Sequence, residues 1–331
     1  MTKKEKKPEK VKFKKAGPTF TKDKFRKFML GSKDSMGFVK KTLAYIVLIS
    51  IGFIFLYPIF KMISISFMSL EDLVSSSINW LPSKLHTANY TAAAKSLNFW
   101  KGLKDSIILS GVPTLIQVCV CAIVGYGFAR FDFKGKKLLM GLLLFAFILP
   151  AQVITTPTYI LYKQYGLIGN LWAFIVPALL GQGIKAPIFI LITMTFYKQV
   201  PQSLVEAAHI DGAGYFKSFF KIALPSATGA LVVVLLFSFV WYWNETYLTS
   251  LYVTQGKSAT WKPLVMGLSN FDSNYYENEP SLSSSGTTTA DINEAYRMAG
   301  TVLTILPLLL LYFVMQKFFV ESIDKAGITG E

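Results

Sequence analysis

The side chains able to do chemistry in this sequence are few, and they fall in three places. Glu206, Ala207 and Ala208 are followed by Gly212 and then by Ile222, Leu224 and Pro225, with Ile210 and Asp211 just ahead of the glycine. An acid, two small residues and a glycine at this spacing break no bonds. They make a short helix with a low-relief face, ended by a residue that tolerates a left-handed backbone. The second place is Trp241-Tyr242-Trp243-Asn244-Glu245. Aromatic rings suit the apolar faces of sugars and Asn and Glu suit hydroxyls, but the same cluster also serves as an interfacial belt. The third is Lys185, with Gln182 just before it, inside an otherwise uncharged stretch. Catalysis finds no constellation. His86 and His209 are far apart, no Cys/His set has metal spacing, and Cys119 and Cys121 point to different faces of one helix, so they do not bridge. No convergent acid and base of a membrane enzyme is visible.

What must position these groups is an all-α integral membrane protein. Of 331 residues, 52% are hydrophobic and only 16% charged, against about 45–50% and 25% in soluble domains. Six runs are long enough to cross a bilayer as helices: about 42–60, 106–129, 138–162, 170–197, 222–244 and 298–316. Lys and Arg set their orientation. With a cytoplasmic N-terminus, 24 of the 34 fall on inner segments and 9 on outer ones. Six spans with both termini cytoplasmic follow, with 198–221 as an inner loop and 247–297 as an outer one. Residues 1–41 carry 15 Lys and Arg and read as a solvated, disordered tail that lies on anionic lipid; no folded module accompanies the charge to suggest nucleic-acid binding. The basic stretch is too long for a cleaved leader.

The fourth run holds Pro177, Gly181, Gly183 and Pro187, so a break near 182–186 is expected. A lysine at that depth is costly in lipid. It belongs in a water-filled cavity along a transport path, in a structural pair with a neighbouring subunit, or at a shallower position from which it snorkels. In the inner loop, Pro201 supplies a helix start with Ser203 as N-cap, Glu206 sits in the first turn where the helix dipole favours an acid, and Gly212 ends the helix. Phe216, Phe219 and Phe220 then return an apolar face to the membrane.

Glu-Ala-Ala, three residues, Gly, nine residues, Ile-x-Leu-Pro is the pattern of Glu206–Pro225, and it resembles the coupling loop of permease subunits of ABC importers. From about Leu103 onward, Gly125–Phe131, Leu149–Val153, Ile210–Ala213, Trp241–Asn244 and Gln316–Val320 resemble the carbohydrate branch, close to the second permease subunit of maltose-type systems. The resemblance implies the type I importer permease fold in a bacterial-type cell membrane. It implies a second permease, generally non-identical, two ATPase subunits that carry ATP and Mg, an extracytoplasmic solute-binding protein, and sugars or oligosaccharides as cargo. This chain then holds no cofactor or metal and is no enzyme. Its nearest approach to a P-loop, Gly256-Lys257-Ser258, has Leu251 where the first glycine belongs. The loop residues Glu206 to Gly212 with Ile222, Leu224 and Pro225 would meet the ATPase. Gln182, Lys185, Trp241, Trp243, Asn244 and Glu245 are candidates for the substrate path. The stretch 272–291 is longer than expected of the family. Competing readings are a permease for a non-sugar solute and an ion-coupled transporter, which would want intramembrane acids that the six runs lack.

Overall fold

The computed structural model of the chain describes residues 29, 31–32, 35–75, 80–255, 260–278 and 294–328. Most of the basic tail, Gly256-Lys257-Ser258 and residues 279–293 fall outside them. Two compact units divide the chain, 1–61 and 62–331. The first contains a two-residue antiparallel pairing, Gly31–Ser32 with Ser35–Met36, and the start of helix α1, Phe38–Ser66.

Among its described residues, the regular structure of the second unit is all helix. It continues with α2 (Leu70–Val74), α3 (Ala88–Ser96), α4 (Phe99–Arg130), α5 (Lys136–Ile148), α6 (Ala151–Gln164), α7 (Trp172–Leu179) and α8 (Ala186–Gln199). Then come α9 (Gln202–Ile210), α10 (Tyr215–Ser226), α11 (Thr228–Asn244), α12 (Tyr247–Tyr252), α13 (Leu264–Ser269), α14 (Phe271–Asn278) and α15 (Glu294–Ile328). α4 is the central post: α7, α8 and α11 pack on it, and α15 packs on α11 and α3.

The α4–α8 seam is closed backbone to backbone. A Cβ on Gly125 would stand 2.1 Å from Thr193 Oγ1 and 2.9 Å from the Met194 amide nitrogen, so only glycine lets the helices approach this far. Thr193 Oγ1 donates across the seam to the Cys121 carbonyl at 2.9 Å. Cys121, Phe128, Phe189, Ile190, Met194 and Val234 form the apolar core around it. Cys121 is buried and Cys119 exposed, and neither is in a disulfide.

Two expected spans are corrected. The run 138–162 is not one helix: α5 and α6 meet at 101°. Pro150 has no amide to continue the ladder, and it forces Leu149 extended (ψ 122°). The run 222–244 is bent by 73° between α10 and α11. A π-turn, Phe219–Ala223, and Pro225 disrupt the ladder before Ala227, so the straight part is the 17 residues of α11. Among the described residues α1, α4 and Glu294–Phe318 are each long and apolar enough to span a membrane, and up to five spans result if each bent pair counts as one. The fourth run breaks between Leu179 and Ala186, and neither α7 nor α8 reaches about 20 residues.

Candidate functional site

The loop between α8 and α10 is built around α9, which buries none of its residues. Its start differs from expectation. Pro201 occupies the cap position with an extended backbone (φ −57°, ψ 131°) and no side chain caps the helix. Ser203 therefore lies inside the first turn and Glu206 beyond it. Proline sets the backbone angle and lacks an amide that would need a partner, so the helix begins at once. The end is as the glycine implies. Gly212 has φ +80°; the Ala213 amide donates to the Ala208 carbonyl at 2.8 Å and the Gly212 amide to the His209 carbonyl at 3.0 Å. This is a Schellman close, in which a left-handed residue satisfies two carbonyls that the helix end orphans.

The loop is tied at its base. His209 Nδ1 lies 2.7 Å from the Ala213 carbonyl, and its ring meets Tyr215 edge-on at 5.0 Å. Tyr215 packs in turn on Phe131, just past the end of α4. Tyr126 on α4 holds Tyr197 and Phe219 at 5.4 and 4.9 Å, and the Arg130 guanidinium donates to the Val200 carbonyl. Glu206, Ala207, Ile210 and Asp211 remain exposed, Ala208 half-buried; Ile222 and Leu224 are half-buried and Pro225 exposed. Phe219 is buried, whereas Phe216 and Phe220 are exposed.

At the far end of α8 is a cavity of 440 Å³, which Gln182, Lys185, Trp241 and Glu245 line. The break that carries Gln182 and Lys185 is a designed irregularity. Gly181 has φ +72° and Lys185 φ +57°. A Cβ on Gly183 would lie 2.0 Å from Gln117 Oε1 and 2.7 Å from the Tyr242 hydroxyl. Those two side chains satisfy the broken backbone. Gln117 Nε2 donates to the Ile184 carbonyl at 2.9 Å and to Ser238 Oγ at 3.1 Å, the Tyr242 hydroxyl donates to Gln117 Oε1 at 3.0 Å, and the Ile184 amide donates to that hydroxyl at 3.2 Å. Lys185 Nζ stands 5.1 Å from the centre of the Trp241 ring, a cation–π contact. Glu245 accepts from the Leu248 amide at 2.9 Å.

Trp243 and Asn244 do not join the cavity. Trp243 is buried among Leu97, Leu264 and Phe271, and Asn244 Nδ2 bonds the Val240 carbonyl of its own helix. Residues that sequence reasoning passed over are Gln117 and Ser238. A lone amide in the apolar run 106–129 is a usable signal, because a buried amide must find partners. Its partner, the opened backbone at Ile184, is not readable from spacing.

Loop and cavity stand at opposite ends of α8. α8, Ala186–Gln199, is about 20 Å long at 1.5 Å per residue, and its seam with α4 leaves no room for a Cβ on Gly125. A displayed helix at one end of an interlocked pair and an aromatic, polar cavity at the other suit a membrane transport subunit. The chain belongs to the family of binding-protein-dependent transport system inner membrane components, which it matches over residues 117–325. It is 28% identical, over 87% of its length and 97% of the relative's, to the polygalacturonan/rhamnogalacturonan transport system permease protein YtcP of Bacillus subtilis (strain 168). It is 26% identical to the arabinooligosaccharides transport system permease protein AraQ of Halalkalibacterium halodurans, over 85% and 93% of the two chains. A solved bacterial ABC transporter involved in import of the acidic polysaccharide alginate shares the fold, with a TM-score of 0.69 at 19% identity over 92% of this chain and 100% of that one.

Proposed function

We propose that this chain is one of two permease subunits of an ATP-driven importer that takes up a sugar or oligosaccharide from an extracytoplasmic binding protein. Cargo of this class is supported by relatives named for polygalacturonan, arabinooligosaccharides and diacetylchitobiose. The sister permease is a different polypeptide. ATP and Mg belong to two separate ATPase subunits, and this chain holds no nucleotide. It crosses a bacterial-type inner membrane six times with both termini inside, so that α9 faces the cytoplasm and the cavity opens toward the outer half. The distribution of Lys and Arg supports that orientation.

The observation that carries the mechanism is the tethering of an exposed helix to two interlocked ones. A cleft on an ATPase that grips Glu206, Ala207, Ala208, Ile210, Asp211 and Gly212 pulls on the end of α8. Ile222, Leu224 and Pro225 carry the same pull into α11. With the α4–α8 seam closed by Gly125, the motion arrives at the cavity as rigid-body rocking, which changes access from one side to the other. Gln182, Lys185, Trp241 and Glu245 are the path residues of this subunit.

The test is coupling. In the assembled importer in proteoliposomes, Ala207→Trp places bulk on the gripped face and Gly212→Pro breaks the Schellman close. Each is expected to detach the ATPases or leave ATP hydrolysis running without uptake, while the chain still inserts. Full uptake in both variants overturns the coupling role.

A further inference from the structure

The cavity at the helix break contains one ammonium, and the way it is held points to the charge of the cargo. Among the described lining residues, Lys185 is the only Lys or Arg and Glu245 the only acid. The two do not form an ion pair, and Lys185 makes none with any described residue. Glu245 is turned to its own backbone through the Leu248 amide. The ammonium instead rests on the face of Trp241 at 5.1 Å, with its side chain exposed to the cavity. Its backbone is in the left-handed region (φ +57°), where a lysine is rarely found. Glycine or asparagine would relieve that strain. A strained residue that carries the sole cation of a cavity marks a function for the charge rather than for the fold. α8 begins at Ala186, so the positive end of its dipole adds to the same potential.

We propose that Lys185, held over Trp241 at the helix break, recognises a carboxylate on the cargo, so that this importer takes acidic oligosaccharides built on uronate residues. The inference rests on the sugar-import reading above and narrows its substrate class. A uronate ring lodged in the cavity beside Trp241 brings its C5 carboxylate within reach of the ammonium. A charge-assisted hydrogen bond to carboxylate is about twice as strong as the neutral one a hydroxyl would make there. Glu245, withheld by Leu248, does not compete for the cation.

The experiment uses the whole importer, with binding protein, sister permease and ATPases, in proteoliposomes. The probes are di- and trisaccharides of galacturonate, glucuronate and mannuronate, each beside its carboxyl-reduced neutral counterpart. ATP-dependent accumulation of at least one acidic probe, tenfold or more above its neutral counterpart, is expected. Lys185→Gln should then lower uptake of that probe at least tenfold, and Lys185→Arg should retain acidic uptake within about threefold. Accumulation of neutral probes alone overturns the inference and leaves the import reading standing. Acidic uptake that survives Lys185→Gln overturns it too, as does loss of the sister permease from the purified Lys185→Gln complex, which would make the cation an inter-subunit partner. Failure to accumulate any probe, acidic or neutral, brings down the import reading together with this one.

Discussion

Gly183 and Tyr242 show how single residues keep a helix broken. An interrupted helix exposes amides and carbonyls that lipid cannot satisfy. Here Gln117 and Tyr242 supply the partners for Ile184, and the absence of a side chain on Gly183 leaves room for them. Tyr242→Phe keeps the ring and removes the hydroxyl. It leaves the Ile184 amide and one acceptor lone pair of Gln117 unpaired, at a cost of about 1–3 kcal/mol. The assembled importer should lose several degrees of melting temperature in detergent, and a wild-type melting curve would show that the network carries nothing. Gly183→Ala should be worse, because its methyl collides with the Gln117 amide. Gln117 was legible as an anomaly in an apolar run. The break itself was legible from Pro177, Gly181, Gly183 and Pro187, but the hydroxyl that holds it open depends on a residue 58 positions away in sequence, and spacing carries no such information.

In the proposed mechanism transmission depends on the α4–α8 pair, and Gly125 is its tightest contact. Gly125→Val places two methyls where Thr193 and the Met194 amide already stand. The helices must separate, and the buried Thr193 hydroxyl loses its cross-helix carbonyl. Overpacking of this kind costs about 1–3 kcal/mol, and the separation should also slacken the link from loop to cavity. We expect ATP hydrolysis to exceed its wild-type ratio to uptake by severalfold in Gly125→Val; an unchanged ratio would mean that force travels by another route. The helical character of these elements was plain from their charge-free runs. Their straightness was not. Leu149-Pro150 lies inside an uninterrupted apolar run, and hydropathy is blind to the right angle that a proline makes there. The π-turn at Phe219–Ala223 leaves no compositional trace, because it changes the hydrogen-bond register and not the residue types. At α9 Ser203 is a good N-cap by type, but Pro201 dictates the backbone first.

For the molecule as a whole, the decisive relation is that handle and cavity stand at opposite ends of the same helix, which the proposed topology sets on opposite halves of the membrane. α8 offers about 20 Å of separation, two thirds of a hydrocarbon core of about 30 Å. In the proposed topology α9 lies in the cytoplasm and the segment that follows α12 on the other side, with the apolar residues of α11 between them. Single-cysteine labelling reads this directly. In a Cys119→Ser background, Ser203→Cys on the exposed face of α9 should react with a membrane-impermeant maleimide only in inside-out vesicles. Ser269→Cys at the end of α13, also exposed, should react only in intact right-side-out cells or spheroplasts. Labelling of both from one side would place the handle and the outer segment in the same compartment. The motor could not then pull one end of α8 while cargo entered at the other, and the lever from Glu206 to Lys185 would have no work to do.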